Sequence, residues 1–116
     1  MPVKKIDASK TVKKTARNKV QIVCVAEFHA LDGKTDALID ALHRLMKPTH
    51  KEAGCIRYEL NQRVDDPRWI TFIEKWSSQK TFDEHCAMPY IKHYFDDERP
   101  GLVESFEVKL YREILP

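Results

Sequence analysis

Glycine is scarce: three residues in 116, at Gly33, Gly54 and Gly101. They lie too far apart for a GxGxxG loop or a P-loop, so a phosphate cradle of either kind is excluded. Cysteine is as sparse, with Cys24, Cys55 and Cys86 odd in number and free of any CxxC spacing. That usage argues against a disulfide framework and fits a reducing cytosol. There is no HExxH motif, and the pairs His43/His50 and His85/His93 miss the i, i+4 spacing that chelates well on a helix, so no metal centre is expected. No apolar run approaches the roughly 18–20 residues that span a bilayer, and no apolar signal region opens the chain. The expectation is a cytoplasmic protein with no membrane partner.

Charge is nearly balanced overall, at a formal +2, but it is unevenly placed. Residues 1–19 hold seven Lys or Arg against the single acid Asp7, a net +6, and the rest of the chain holds 13 basic and 17 acidic residues, a net −4. The basic stretch has no aromatic residue to stack on bases. It reads as a flexible, solvated extension, with no specific nucleic-acid partner. Residues 20–116 carry the folded domain. Apolar content of 42% and charged content of 33% are those of an ordinary globular chain.

The pattern along that domain alternates between two periods. Val20 to His29 is β-branched and apolar enough for a buried strand. Asp32-Gly33 marks a turn, and Leu38, Ala41, Leu42, Leu45 and Met46 then recur at helical spacing. Pro48 should interrupt this helix and Gly54 should end it. Ile56, Tyr58 and Leu60 alternate with Arg57, Glu59 and Asn61, the period of a half-exposed strand. Asp65-Asp66-Pro67 turns the chain back into a strand from Trp69 to Trp76. Helical segments follow around Gln79–Cys86 and Tyr90–Asp97, and Pro100-Gly101 precedes a last strand from Phe106 to Ile114. The order β-α-β-β-α-(α)-β predicts an α+β, ferredoxin-like fold with an antiparallel sheet. Helices on one face leave the other uncovered, and Val23, Val25, Ile73 and Val108 are expected there. Such a face is best buried against a second copy, so a homodimer through the sheet is expected.

Four short motifs recur in order: Lys51-Glu52-Ala53-Gly54-Cys55-Ile56-Arg57-Tyr58, then Ile73-Glu74-Lys75-Trp76-Ser77-Ser78, Phe82-Asp83-Glu84-His85 and Met88-Pro89-Tyr90-Ile91-Lys92. With these the chain resembles the antibiotic biosynthesis monooxygenase family of dimeric α/β barrels, and within it the small quinol monooxygenases. The likeness covers residues 20–116. It implies oxygenation of a quinol, anthrone or similar phenolic ring by O2 with no flavin, haem or metal. Chemistry of that kind needs a base near neutrality, a dry ring-shaped cavity and donors for the developing anion.

His85 is the candidate base, because imidazole titrates near neutral pH and the position matches the family histidine. Its alternative role is structural, binding a neighbouring carbonyl. Period two puts Phe72, Glu74 and Trp76 on one strand face, and the resemblance turns that face toward the cavity. Glu74 must then pair with His85 or an arginine, Arg57 and Arg112 being the candidates, or line a polar pocket. Tyr58 offers a hydroxyl to a ring oxygen. Trp76, Phe72 and Phe28 are candidate walls for the substrate ring, with Tyr94 from the later helix; Tyr90 and Phe95 read as packing. Family members that degrade haem use other residues at the positions of Ala26, His85 and Phe95 here. Two further functions stay open: an isomerase of a small phosphorylated ketone, resembling the processing of autoinducer-2 phosphate, and a non-catalytic dimeric small-molecule-binding stress module.

Overall fold

A computed structural model describes residues 20–116; the expected flexible extension at residues 1–19 lies outside the described residues. The chain forms β1 (Ile22–Ala30), α1 (Thr35–His50), β2 (Cys55–Gln62), β3 (Trp69–Trp76), α2 (Gln79–Cys86), α3 (Pro89–His93) and β4 (Val103–Arg112). Between α3 and β4 run a π turn, Tyr94–Glu98, and a single 3-10 turn, Arg99–Gly101. The four strands lie in the order β2-β3-β1-β4, every neighbouring pair antiparallel. This is the ferredoxin-like α+β arrangement that the alternation of periods predicted. No helix among the described residues is long and apolar enough to cross a membrane.

The strand periods set the layers. Ile22, Cys24, Ala26, Phe28 and Ala30 of β1, with Ile70, Phe72, Glu74 and Trp76 of β3, point to the helices and are buried. The helix α1 answers with Leu38, Ala41, Leu42 and Leu45. Such burial of apolar surface is the main source of stability here, at about 25 cal/mol per Å2. The opposite face keeps Val23, Val25 and Ile73 half-exposed.

Several expectations need correction. Val108 pairs with Ala26 across β1 and β4, so it shares the helix side rather than the open face. Ile56 occupies a bulge between Cys55 and Arg57, which breaks the alternation and leaves it 51% exposed. Pro48 does not interrupt α1. It sits in the last turn, where its missing N–H removes only one helical bond. The chain then tightens through Lys51 N to Pro48 O (3.2 Å) and Glu52 N to Thr49 O (3.0 Å). Gly54 lies beyond the end of α1 and is not left-handed; Gly33 alone among the described residues has that conformation, at φ 76°. Gly54 has a steric role instead, since a Cβ there would stand 2.2 Å from Thr81 Cβ. The segment read as one helix from Tyr90 to Asp97 divides into α3 and the π turn, and the last strand begins and ends earlier than its apolar pattern implied.

Candidate active site

Register places one row of inward side chains across three strands: Tyr58 of β2 opposite Glu74 of β3, and Glu74 opposite Cys24 of β1. Phe72, the next inward residue on β3, stacks on Tyr58 with ring centroids 4.3 Å apart. The helix α2 lies over this row. Its start is fixed by a capping box, in which Ser78 Oγ accepts from Thr81 N and Thr81 Oγ1 accepts from Ser78 N. Half the helix on, Phe82 and His85 face the sheet.

His85 is 2% exposed. Its ring lies against Trp76, centroids 4.4 Å apart, and edge-on to Tyr58 at 5.4 Å. Nδ1 is 2.9 Å from Oε2 of Glu52, in the turn that follows α1. The Tyr90 hydroxyl of α3 donates to the same carboxyl oxygen. Burial and the Glu52 carboxylate both push the Tyr90 phenol up, so it keeps its proton and acts as a donor.

Glu74 is buried on the other side of the site. Its Oε1 accepts from Trp76 Nε1 at 2.9 Å, so its donor is the indole and not an arginine. Arg57 is exposed and pairs with Glu59 at 2.8 Å, while Arg112 stands at the exposed end of β4. Burial pushes the Glu74 carboxyl up; the neighbouring His85, the Trp76 bond and Cys24 oppose the shift. Tyr58 is pushed up as well, by burial first and then by the charge of Glu74. Tyr58 therefore holds a proton that it can donate in the interior.

His85, Tyr58, Glu74, Phe72, Phe28 and Tyr94 line one internal cavity, together with Phe95 and Ile91. Trp76 stands behind His85 and does not line it. The cavity leaves about 10 Å3 for the centres of water molecules, room for a single water. Tyr94 and Phe95 are both buried although they are consecutive. The widened π turn that carries them is a feature frequent at functional sites. The Tyr94 hydroxyl is buried with no hydrogen-bond partner among the described residues, an arrangement that costs about 1–3 kcal/mol.

The sequence pattern does not mark two members of this constellation, Glu52 and Tyr90, as site residues. Glu52 sits in a turn, where no period marks a direction, and only its place in the Lys51–Tyr58 motif carries a signal. Among the described residues no group of three or more His, Cys, Asp and Glu could hold a metal ion. Three other histidines are engaged apart: His50 Nε2 donates to Tyr58 O at 2.9 Å, His93 pairs with Asp97, and His29 stacks on Trp69, while His43 is exposed on α1.

The family model for antibiotic biosynthesis monooxygenase matches residues 21–97, which contain the whole site. The chain belongs to this family. Protein SO0527 from Shewanella oneidensis is 55% identical and superposes with a TM-score of 0.81, over 83% of this chain and 93% of that one. From Mycobacterium tuberculosis, "Putative monooxygenase Rv0793" is 29% identical over 73 residues, 63% of this chain and 71% of the relative. The solved structure of Rv0793 has the same fold, with a TM-score of 0.76 at 23% identity over 83% of this chain and 97% of its own. Monooxygenase is thus the activity to which both the family and a relative's name point.

Proposed function

We propose that this member oxygenates quinols, anthrones or related electron-rich phenolic rings, with no flavin, haem or metal. The observation that carries the reading is the buried Glu52–His85 pair at 2.9 Å, set against Glu74 and Tyr58 in an aromatic cavity. In this reading His85 takes the proton from a bound phenol or an activated CH. Tyr58 donates to the oxygen on which negative charge develops, and Glu74, opposite it across the strands, is a polar group that orients the site. The resulting anion is oxidised by O2 directly. For an anthrone, the ring CH2 becomes C=O; one oxygen atom enters the product, and the two hydrogens leave with the other as water. The substrate supplies all four electrons, so the balance needs no external reductant.

A drug-sized ring requires a few hundred Å3, far more than the single-water space now present. Binding therefore displaces Tyr94 and Phe95, and the unpaired Tyr94 hydroxyl gains a substrate oxygen as partner. Phe28 and Phe72 then wall the ring, and Trp76 acts through His85 and Glu74 rather than as a wall. The half-exposed Val23, Val25 and Ile73, beside the 49%-exposed Tyr111, support a homodimer across the open sheet face. The reading also sets the protein in the cytosol, where its three free thiols stay reduced.

A phosphorylated ketone fits the cavity less well, because among the described residues no Lys or Arg lines it and both Lys92 and Arg57 are exposed. The decisive test is oxygen uptake by chelator-treated, colourless protein given a panel of quinols and anthrones. Turnover is expected without additions and should fall about 10^2–10^4-fold in His85→Ala. Activity that appears only with added flavin or iron would contradict the reading. Ligand binding with no turnover by any ring would move the function to a binding module.

A further inference from the structure

Three elements converge on Oε2 of Glu52: the turn after α1 supplies the carboxylate, α2 supplies His85 Nδ1 at 2.9 Å, and α3 supplies the Tyr90 hydroxyl. The Glu52 side chain is 9% exposed and that of His85 2%, so the pair is screened little by solvent. A carboxylate has no proton to give, so the imidazole must donate, and Nδ1 carries the hydrogen. The Tyr90 donor occupies the same oxygen and limits the rotation of Glu52.

From this we infer that Glu52 is the positioning residue for His85. It fixes the Nδ1–H tautomer and leaves Nε2 as the nitrogen that exchanges protons with substrate, while Tyr90 holds Glu52 in place. The chemistry follows from bond directions: a ring free to flip or to change tautomer would present Nε2 as a base only part of the time. The inference rests on His85 being the proton acceptor of the proposed reaction, but the tautomer can be measured without that reaction.

The sequence encodes the arrangement through two local devices. Pro48 and the tightened last turn of α1 swing Glu52 toward α2. Gly54 then lets the turn pack against Thr81, in the first turn of the same helix, and Ser77 N donates to Gly54 O at 2.9 Å. Glu52 and His85 are therefore held by a close backbone contact as well as by their own hydrogen bond.

The test compares the full chain with Glu52→Ala, Glu52→Gln and Tyr90→Phe, with His85→Ala as control. Imidazole 15N and 1H spectra should give His85 as the Nδ1–H tautomer in the starting protein and a mixture of tautomers in Glu52→Ala. Glu52→Gln keeps an acceptor oxygen and should restore most of the Nδ1–H form. In oxygen uptake with a naphthoquinol, kcat should fall about 10–100-fold in Glu52→Ala, with KM within about threefold. Glu52→Gln should lie between, and Tyr90→Phe should lose about 2–10-fold, the worth of one hydrogen bond. An unchanged Nδ1–H tautomer in Glu52→Ala would overturn the inference, whatever the substrate proves to be. So would an unchanged kcat in Glu52→Ala where His85→Ala is inactive. If no ring is oxygenated, the proposed function fails, and the spectra alone still decide the role of Glu52.

Discussion

Replacing Gly54 by Ala puts a Cβ 2.2 Å from Thr81 Cβ, 2.4 Å from its Cγ2 and 2.6 Å from its Oγ1. Ordinary carbon–carbon contact begins near ~3.5 Å, so one element must move by about an ångström. Thr81 cannot simply rotate away, because its Cβ is itself among the clashing atoms and its hydroxyl closes the Ser78 capping box. Overpacking of this kind costs about 1–3 kcal/mol, and loss of the cap adds about 1 kcal/mol. The expected loss is about 2–4 kcal/mol, a large share of the roughly 5–15 kcal/mol that holds a domain together. At about 4–8 °C per kcal/mol for a domain near this size, the melting temperature should drop by roughly 8–32 °C. Thermal melts by circular dichroism on the full chain measure it. Gly54→Ala should also shift the His85 imidazole signals, since the displaced turn carries Glu52. A melting temperature within about 3 °C of the starting protein would refute the close approach of turn and helix.

Three further outcomes follow from the same geometry. A carboxyl whose folded pKa is raised binds protons more readily in the fold, so the Glu74 contribution is greatest at low pH. It is lost as pH rises from about 4.3, its unfolded value, through the higher folded one; melts of Glu74→Gln across that window should gain on the starting protein as pH rises, and a gap constant with pH would contradict the burial of that charge. Burial pushes the Cys55 thiol up to about 11 and the Cys86 thiol up to about 12, so labelling of the native chain by iodoacetamide at neutral pH should run about 100-fold slower than for a free thiol, and fast labelling would show those sites open. Ile73→Lys sets a charge in the half-exposed centre of the open sheet face; if the proposed homodimer uses that face, light scattering should find a dimer for the starting protein and a monomer for the variant, and an unchanged mass would remove that face as the interface.

Much of this site is legible in the sequence because strands report direction through a period of two. Phe72, Glu74 and Trp76 alternate inward along β3, and Ser78 announces the helix that brings His85 over them. Pairing is less legible. The side taken by Val108 depends on its register with Ala26, and that of Ile56 on a bulge, neither of which an alternating pattern contains. The tertiary meeting of Glu52, His85 and Tyr90 is not legible at all from local pattern, because each residue comes from a different element and two of the elements are short. The π turn is hidden for a related reason: Tyr94 and Phe95 look like one more helical stripe until the widened turn buries both. That packing also explains why three of the ring walls named from sequence, Phe28, Phe72 and Tyr94, surround a space for only one water, while Trp76 lies outside it.

Isotope-labelled oxygen tests the central claim most directly. Metal-stripped protein with no added cofactor is given 18O2 and an anthrone or naphthoquinol, and the products are weighed by mass spectrometry. One 18O atom should enter each ring and the other should appear in water, with both signals lost in His85→Ala. A product that carries no 18O, or labelling that persists undiminished without His85, would contradict the account.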